Sequence, residues 1–466
     1  MLLPSAFVEQ TNKLLGDVEY ALLEKALNEN SPVSVRVNRK MPSQLFSCQH
    51  LDAVPWCADG YYLNERLTFT FDPLFHAGCY YVQEASSMFV EQALKQYICK
   101  PSVMLDLCAA PGGKSTHVRS MLPEGSLLVA NEVIRNRSQV LSENIIKWGH
   151  PDVVVTNNDP SDFSRLTNFF DVILTDVPCS GEGMFRKDPA SIEEWNVDNV
   201  NICYQRQRRI VADVWNSLKP GGILIYSTCT YNTKEDEENV RWISEELGAE
   251  VLPVATSAEW NIVGNLLGED FHVAHFLPHR TRGEGFFLAV LRKIDGVSEN
   301  FRKASSKKNN SPAIVPKQAK EWLLHPQDYL LEVKGNNVVA FAKVHQEEYE
   351  LLKDNLRIVY AGVVVGEIKG KDLLPHQSLA MSSELNLSAF PSVELTYLQS
   401  IAYLRKEAIT LDVDIPRGFV LLLYKGVALG FVKNIGNRAN NLYPNEWRIR
   451  SGYLPEKILI FTDNSL

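Results

Sequence analysis

The sequence has no Cys-x-x-Cys pair, no apolar run approaching the ~20 residues of a membrane helix, and no excess of positive charge. Each lack excludes something. Eight cysteines scattered from Cys48 to Cys229 offer no paired ligands for structural zinc and read as thiols. His272, His275 and His279 lie close together, but no cysteine or carboxylate completes a familiar ligand pattern, so no metal is expected. The opening MLLPSAFVEQTNK lacks the basic start and apolar core of a signal peptide, which makes a soluble, cytoplasmic protein the expectation, without membrane contact. Forty-seven Lys plus Arg against 56 Asp plus Glu leave a net charge of −9, so any contact with nucleic acid must be local.

A chain of 466 residues has room for several cores. Residues 1–97 read as a small α+β domain, with a helical start from Ala6 to Leu27 and two strand-like stretches, VSVRVN and LTFTF. From Val103 the rhythm changes. VMLDL, SLLVANE, PDVVVTN, DVILTD and GGILIYS are short apolar runs, most of them followed by segments long enough for a helix, which is the pattern of βαβ units on a parallel sheet. That α/β domain spans 98–293 and ends on the strand-like GEGFFLAVLRK. The polar stretch 294–317 reads as a linker, followed by a middle α+β unit, 318–388, and a strand-rich last unit, 389–466.

The stretch LDLCAAPGGKSTH resembles a phosphate loop only in part. A triphosphate cradle needs a glycine where Cys108 stands. The alternative is the first crossover of a different nucleotide-binding sheet, with Gly112 and Gly113 in the turn and a helix from about Lys114. Glu132, 19 residues after Gly113, ends the second strand and suits a ribose; Asp159 and Asp176 follow the third and fourth strands. Carboxylates gathered at one sheet edge match a ribose, an adenine amino group and a sulfonium better than a triphosphate. That points to S-adenosylmethionine.

Two of the strand ends also carry thiols, Cys179 after Asp176 and Cys229 after Thr228. Cytosine is not nucleophilic at C5, so its methylation requires a thiolate to add first at C6; a second thiol can assist release, and a carboxyl group at N3 can stabilise the ring. The runs DLCAAPGGKS, ANE, DVPCSGEGMFRKDP, KPGGILIYSTCTYN and PHRTRGEGFF closely resemble the motifs of RNA cytosine-C5 methyltransferases of the NOL1/NOP2/Sun family, over about residues 30–292. The resemblance implies a Rossmann-like class I core dependent on S-adenosylmethionine. It implies Cys229 as nucleophile and Cys179 as the releasing thiol; Asp176, from its own place beside them, is the candidate carboxyl group for N3. It further implies a cofactor loop of Cys108, Ala109, Ala110, Pro111, Gly112, Gly113 and Lys114, with Glu132, Asp159 and Asp176 as additional cofactor contacts.

The target cytosine must be unpaired or flipped out. Arg186 and Lys187, and Arg206, Arg208 and Arg209 on the next helix, are candidate phosphate contacts. Thr233 reads as the cap of a helix whose acidic first turn, in TKEDEEN, has no chemistry of its own. In the last unit Lys425, Lys433, Arg438, Arg448 and Arg450, interleaved with Phe431, Tyr443 and Trp447, form a candidate RNA-docking patch. NRANNLYPNEWRIRS is similar to the PUA-like module of the bacterial ribosomal-RNA subgroup, which makes small-subunit (16S) ribosomal RNA the expected substrate of a monomeric enzyme. Transfer RNA is the alternative substrate, and a non-catalytic ribosome assembly factor the alternative from another class.

Overall fold

The computed structural model describes residues 2–40, 42–45, 51–294, 314–456 and 458–461; Cys48 and most of the linker lie outside the described residues. The amino-terminal helical stretch is two helices, Ser5–Leu15 and Asp17–Leu27, because Gly16 between them sits in the left-handed region at φ 82°. Strands β1 (Val33–Val37), β2 (Gly60–Leu63) and β3 (Tyr80–Val82) form a small antiparallel sheet in the order β2-β1-β3. VSVRV is therefore a strand, whereas LTFTF is not. Phe69–Phe71 is a 3-10 turn leading into the short helix Pro73–His76, whose start is capped by the Asp72 carboxylate.

Five parallel strands follow: β4 (Val103–Asp106), β5 (Leu127–Asn131), β6 (Val153–Thr156), β7 (Phe170–Asp176) and β8 (Leu218–Thr228). They lie in the order β8-β7-β4-β5-β6 and are almost wholly buried, which is why they read as unbroken apolar runs. The helices Gly113–Met121, Arg135–Trp148 and Val197–Trp215 pack on the sheet between them. Strand order reverses between β4 and β7, so a crevice opens at their carboxyl ends. Antiparallel β9 (Ala249–Leu252), β10 (Ala274–Phe276) and β11 (Phe286–Lys293) complete that side, β11 pairing with β8. The expected Rossmann-like core is present.

The segment 318–388 is stitched into that core. Strands β12 (Tyr329–Lys334) and β13 (Asn337–Ala342) belong to their own sheet, but β14 (Ile358–Ala361) leaves it and pairs with β6, from Ile358↔Thr156 to Ala361↔Val154. β15 (Val363–Lys369) and β16 (Asp372–Pro375) return to the smaller sheet. The last unit holds β17 (Ser392–Glu394), β18 (Gly418–Tyr424), β19 (Val427–Asn434) and β20 (Ala439–Asn441) in one sheet. Its apolar core is continuous with that of the amino-terminal sheet. Tyr80 stacks on Phe461 at 4.8 Å, and the buried Asp72 carboxylate accepts from both the Tyr80 hydroxyl (2.8 Å) and the Phe461 N–H (3.0 Å). Among the described residues no helix is long and apolar enough to cross a membrane.

Candidate active site

β4 ends at Asp106, and the chain then runs over the sheet edge as Leu107 to Gly112 before entering the helix Gly113–Met121. The loop is pinned from beneath and from the side. Ala109 N–H donates to the Asn131 carbonyl (2.8 Å), Arg137 donates to the Ala110 carbonyl (2.9 Å), and the Asn144 amide donates to the Pro111 carbonyl (2.8 Å). Gly112 turns the chain at φ 115°, a conformation that costs a side-chain-bearing residue, and a Cβ there would sit 3.3 Å from Leu141.

Cys108, Ala109, Ala110, Pro111, Gly113, Lys114 and Asp176 line one wall of a cavity of about 170 Å³. The opposite wall comes from the amino-terminal segment, Tyr81 to Glu84 and Ser87, which sequence reasoning missed. A buried arginine ties the two walls together: Arg36 of β1 donates to Gln83 (2.8 Å), to the Thr116 hydroxyl (2.6 Å) and to the Gly113 carbonyl (3.3 Å), with its guanidinium 4.3 Å from the Trp148 ring. Burial and nearby carboxylates push the Cys108 thiol far up, so it stays protonated. Glu132 and Asp159 do stand at the ends of neighbouring strands, but neither lines this cavity. Glu132 accepts from Ile134 N–H (2.8 Å) and pairs with Arg137 (3.3 Å). Asp159 caps a 3-10 turn through Ser161, whose hydroxyl and N–H hold its carboxyl below the usual range.

Asp106 was legible by the same strand-end logic and was overlooked. It is fully buried; one oxygen accepts from Ser115 (2.6 Å), the other has no partner, and burial pushes its pKa up to about 7. An acceptor left open beneath this loop suits a ligand carrying an ammonium group. The raised pKa has a sign. The folded state binds the proton more tightly, so this group's contribution to stability is present at low pH and is lost as pH rises through about 7. Between pH 6 and 8 the ligand-free protein should lose about 1–3 °C in melting temperature that Asp106→Asn does not lose, measured by paired thermal melts.

β7 and β8 are parallel neighbours with Asp176 opposite Ser227, so their ends deliver both candidate thiols to one place. The sulfurs of Cys179 and Cys229 are 2.9 Å apart, and Cys229 N–H points at the Cys179 sulfur from 3.4 Å. Both residues are part-exposed. The contact and charge of Cys229, with burial, push the Cys179 thiol far up. Asp176 accepts from the Ser227 hydroxyl (2.8 Å) and from Lys114 (2.9 Å). Burial alone would lower the Lys114 pKa, but Asp176, Cys229 and Asp106 outweigh it, and the ammonium stays charged 5.1 Å from the Phe286 ring.

Three expectations change. Arg186 is not free for phosphate: its side chain is 6% exposed, paired with Glu284 and bonded to the Ala26 and Gly283 carbonyls. Arg208 is likewise bonded to Asn239 and the Glu238 carbonyl, leaving Lys187, Arg206 and Arg209 on the surface. In the last unit Phe431 and Tyr443 are core residues and Trp447 is half-buried under Lys147, so the docking patch loses its aromatic half, and of its cations Lys433 is paired with Asp372 (3.0 Å). Thr233 makes no side-chain cap, and Glu235, Asp236 and Glu237 are buried rather than solvated. The histidines separate: His275 bonds Glu237 (2.8 Å) and His279 bonds Glu19 (2.9 Å). Cys57, Glu91 and His117 do form a buried cluster, but Lys95 (2.6 Å) and the Ala58 N–H (3.0 Å) already occupy the carboxylate.

Comparison with known proteins gives the family. Residues 98–292 match the family model described as 16S rRNA methyltransferase RsmB/F, residues 3–85 the N-terminal domain of 16S rRNA methyltransferase RsmF, and residues 390–449 the methyltransferase RsmF PUA domain. Ribosomal RNA small subunit methyltransferase F of Enterobacter sp. (strain 638) is 31% identical over 425 residues, covering 87% of this chain and 85% of its own length. Its counterpart in Vibrio cholerae serotype O1 is 30% identical over 468 residues, covering 95% and 97%. A methyltransferase homolog protein from Pyrococcus horikoshii is 26% identical, with a TM-score of 0.51, over 63% of this chain and 100% of its own. With that identity sustained along nearly the whole length and all three family models in order, the chain belongs to the ribosomal RNA small subunit methyltransferase F family.

Proposed function

We propose that this protein methylates C5 of a cytosine in small-subunit ribosomal RNA, using S-adenosylmethionine, through a covalent bond between Cys229 and C6. The observation that carries the reading is the pair of sulfurs 2.9 Å apart at the ends of β7 and β8, next to the cavity under the Cys108–Lys114 loop. The fit to the cofactor rests on this chain's donors and acceptors: the open oxygen of Asp106, the loop with its following helix start, and the carboxylate of Asp176, with Glu132 outside the cavity at the end of the neighbouring strand. When bound, S-adenosylmethionine supplies the electrophilic methyl group that an activated C5 takes. Cys229 adds to C6 and moves electron density to C5. Asp176, held by Lys114 and Ser227, accepts from the N4 amino group and, once N3 takes up a proton to offset the negative charge that thiolate addition drives onto the ring, from N3 as well. Cys179 then takes the C5 proton, and Cys229 leaves C6 as a thiolate as the C5–C6 double bond re-forms.

The nucleic acid fits a cleft of about 1,040 Å³ that shares Val82, Gln83 and Glu84 with the cofactor cavity and carries Arg66, Lys187 and Arg282 on its walls. Arg66 and Lys187 answer phosphates locally, and Arg282, half-exposed, does so beside its partner Asp52 (2.6 Å), which is how a chain of net charge −9 meets RNA. In this reading the enzyme acts in the cytoplasm as a monomer. Incubation with labelled S-adenosylmethionine and small-subunit ribosomal RNA, naked or in a partly assembled subunit, should place 5-methylcytosine at a defined position by bisulfite mapping. Label on transfer RNA instead, or on no RNA, would overturn the substrate assignment.

A further inference from the structure

The two thiol loops are fastened to each other by a pair of buried carboxyl side chains, one from each loop. Glu182, three residues after Cys179, crosses to the other loop and accepts from Tyr231 N–H (2.8 Å) and the Asn232 amide (3.1 Å), as well as from the Trp195 indole (3.0 Å). Glu235, six residues after Cys229, crosses in the opposite direction and accepts from Ser180 N–H (3.0 Å), the backbone donor immediately after Cys179. Asn232 donates to both carboxylates, at 3.1 Å and 2.9 Å, and Gln207 ties Glu235 (2.7 Å) to the Pro178 carbonyl (3.1 Å). Between these struts Gly183 N–H donates to the Cys229 carbonyl (2.8 Å), and a Cβ on Gly183 would lie 2.9 Å from that oxygen.

Two buried carboxyl groups are an expensive way to hold a loop unless position matters, since each must have its oxygens filled. Here the donors Ser180, Tyr231 and Asn232 lie one to three positions from the reacting sulfurs. We propose that Glu182 and Glu235 are positioning residues, a reciprocal brace that fixes the separation of the Cys179 and Cys229 sulfurs so that attack by one and release by the other occur on the same base. Neither touches the reacting atoms. The inference rests on the two-thiol reading above. Release is the step most sensitive to the brace, because Cys229 alone makes the attack, whereas release needs Cys179 held against a base already bonded to Cys229.

Glu182→Gln keeps the volume but has one acceptor oxygen, so its amide must face either Tyr231 N–H or the Trp195 and Asn232 donors. The full chain should lose about 10- to 100-fold in kcat with KM for S-adenosylmethionine within about twofold of wild type. It should also accumulate a protein–RNA adduct on a denaturing gel although both thiols are present. Glu235→Gln keeps the Ser180 contact and should show the same signature more weakly, and Glu182→Asp should recover part of the loss. Wild-type kcat without adduct overturns the brace. So does a fall in kcat that tracks a loss of folded protein or an equal rise in KM, with no adduct. Methylation by Cys229→Ala run in parallel would instead sink the two-thiol reading itself, which separates the two failures.

Discussion

Cys229→Ala is expected to abolish methylation, by about 10⁴-fold or more, while the protein keeps its fold and its affinity for S-adenosylmethionine. The size follows from what the sulfur does. Without addition at C6 there is no electron density at C5 to receive a methyl group, and no other group among the described residues is placed to substitute. Cys108 is held protonated under the cofactor loop, and Cys179 contacts Cys229 from the neighbouring strand end, where it serves release. The fold should tolerate the change, within about 1 kcal/mol, because Cys229 is part-exposed and its backbone is fixed independently by Gly183 N–H on its carbonyl. The measurement is incorporation of labelled methyl into RNA, with cofactor binding and melting temperature as controls. Activity within tenfold of wild type would rule out Cys229 as nucleophile.

Much of this site was legible in the sequence because it lies on strands. Five buried parallel strands announce themselves as apolar runs, and the residues just beyond them, Cys108 to Lys114, Glu132, Asp159, Asp176, Cys179 and Cys229, share one edge whatever the loop details. What stayed hidden depends on contacts between distant segments. Nothing in β14 marks it as a partner of β6, because its pairing is made across some 200 residues of chain. Tyr81 to Glu84 give no local sign that they close the cofactor cavity; Arg36 draws them in from β1. Phe431 and Tyr443 alternate with basic residues as an RNA patch would, yet the amino-terminal sheet covers Tyr443 and Phe431 packs on Phe390 (4.8 Å); aromatic side chains are drawn inward where a second surface can bury them. Glu235 and Asp236 sit in a run of acids that normally means a solvated helix start, and donors from Ser180, Asn232 and Gln207 to Glu235 and from Thr228 and Thr230 to Asp236 let them be buried.

Cys179→Ala should produce the opposite failure: attack proceeds, release does not, and the enzyme is found covalently attached to its RNA. In the free protein two of the influences that raise the Cys179 pKa, the sulfur contact and the charge, come from Cys229 itself. Both lapse once Cys229 is bonded to carbon. The Cys179 thiol therefore gives up its own proton more readily at that stage and is available as the thiolate that takes the C5 proton, 2.9 Å from the departing sulfur. Removing it leaves the adduct with no base at that distance. A slow-migrating band in a denaturing gel, dependent on RNA and S-adenosylmethionine and absent in the Cys179→Ala, Cys229→Ala double variant, is the expected result, with turnover down by about 10²-fold or more. Full turnover without a band would show that release is managed from elsewhere in the cleft. A band that survives in the double variant would mean that a third nucleophile, and not Cys229, had attacked the base.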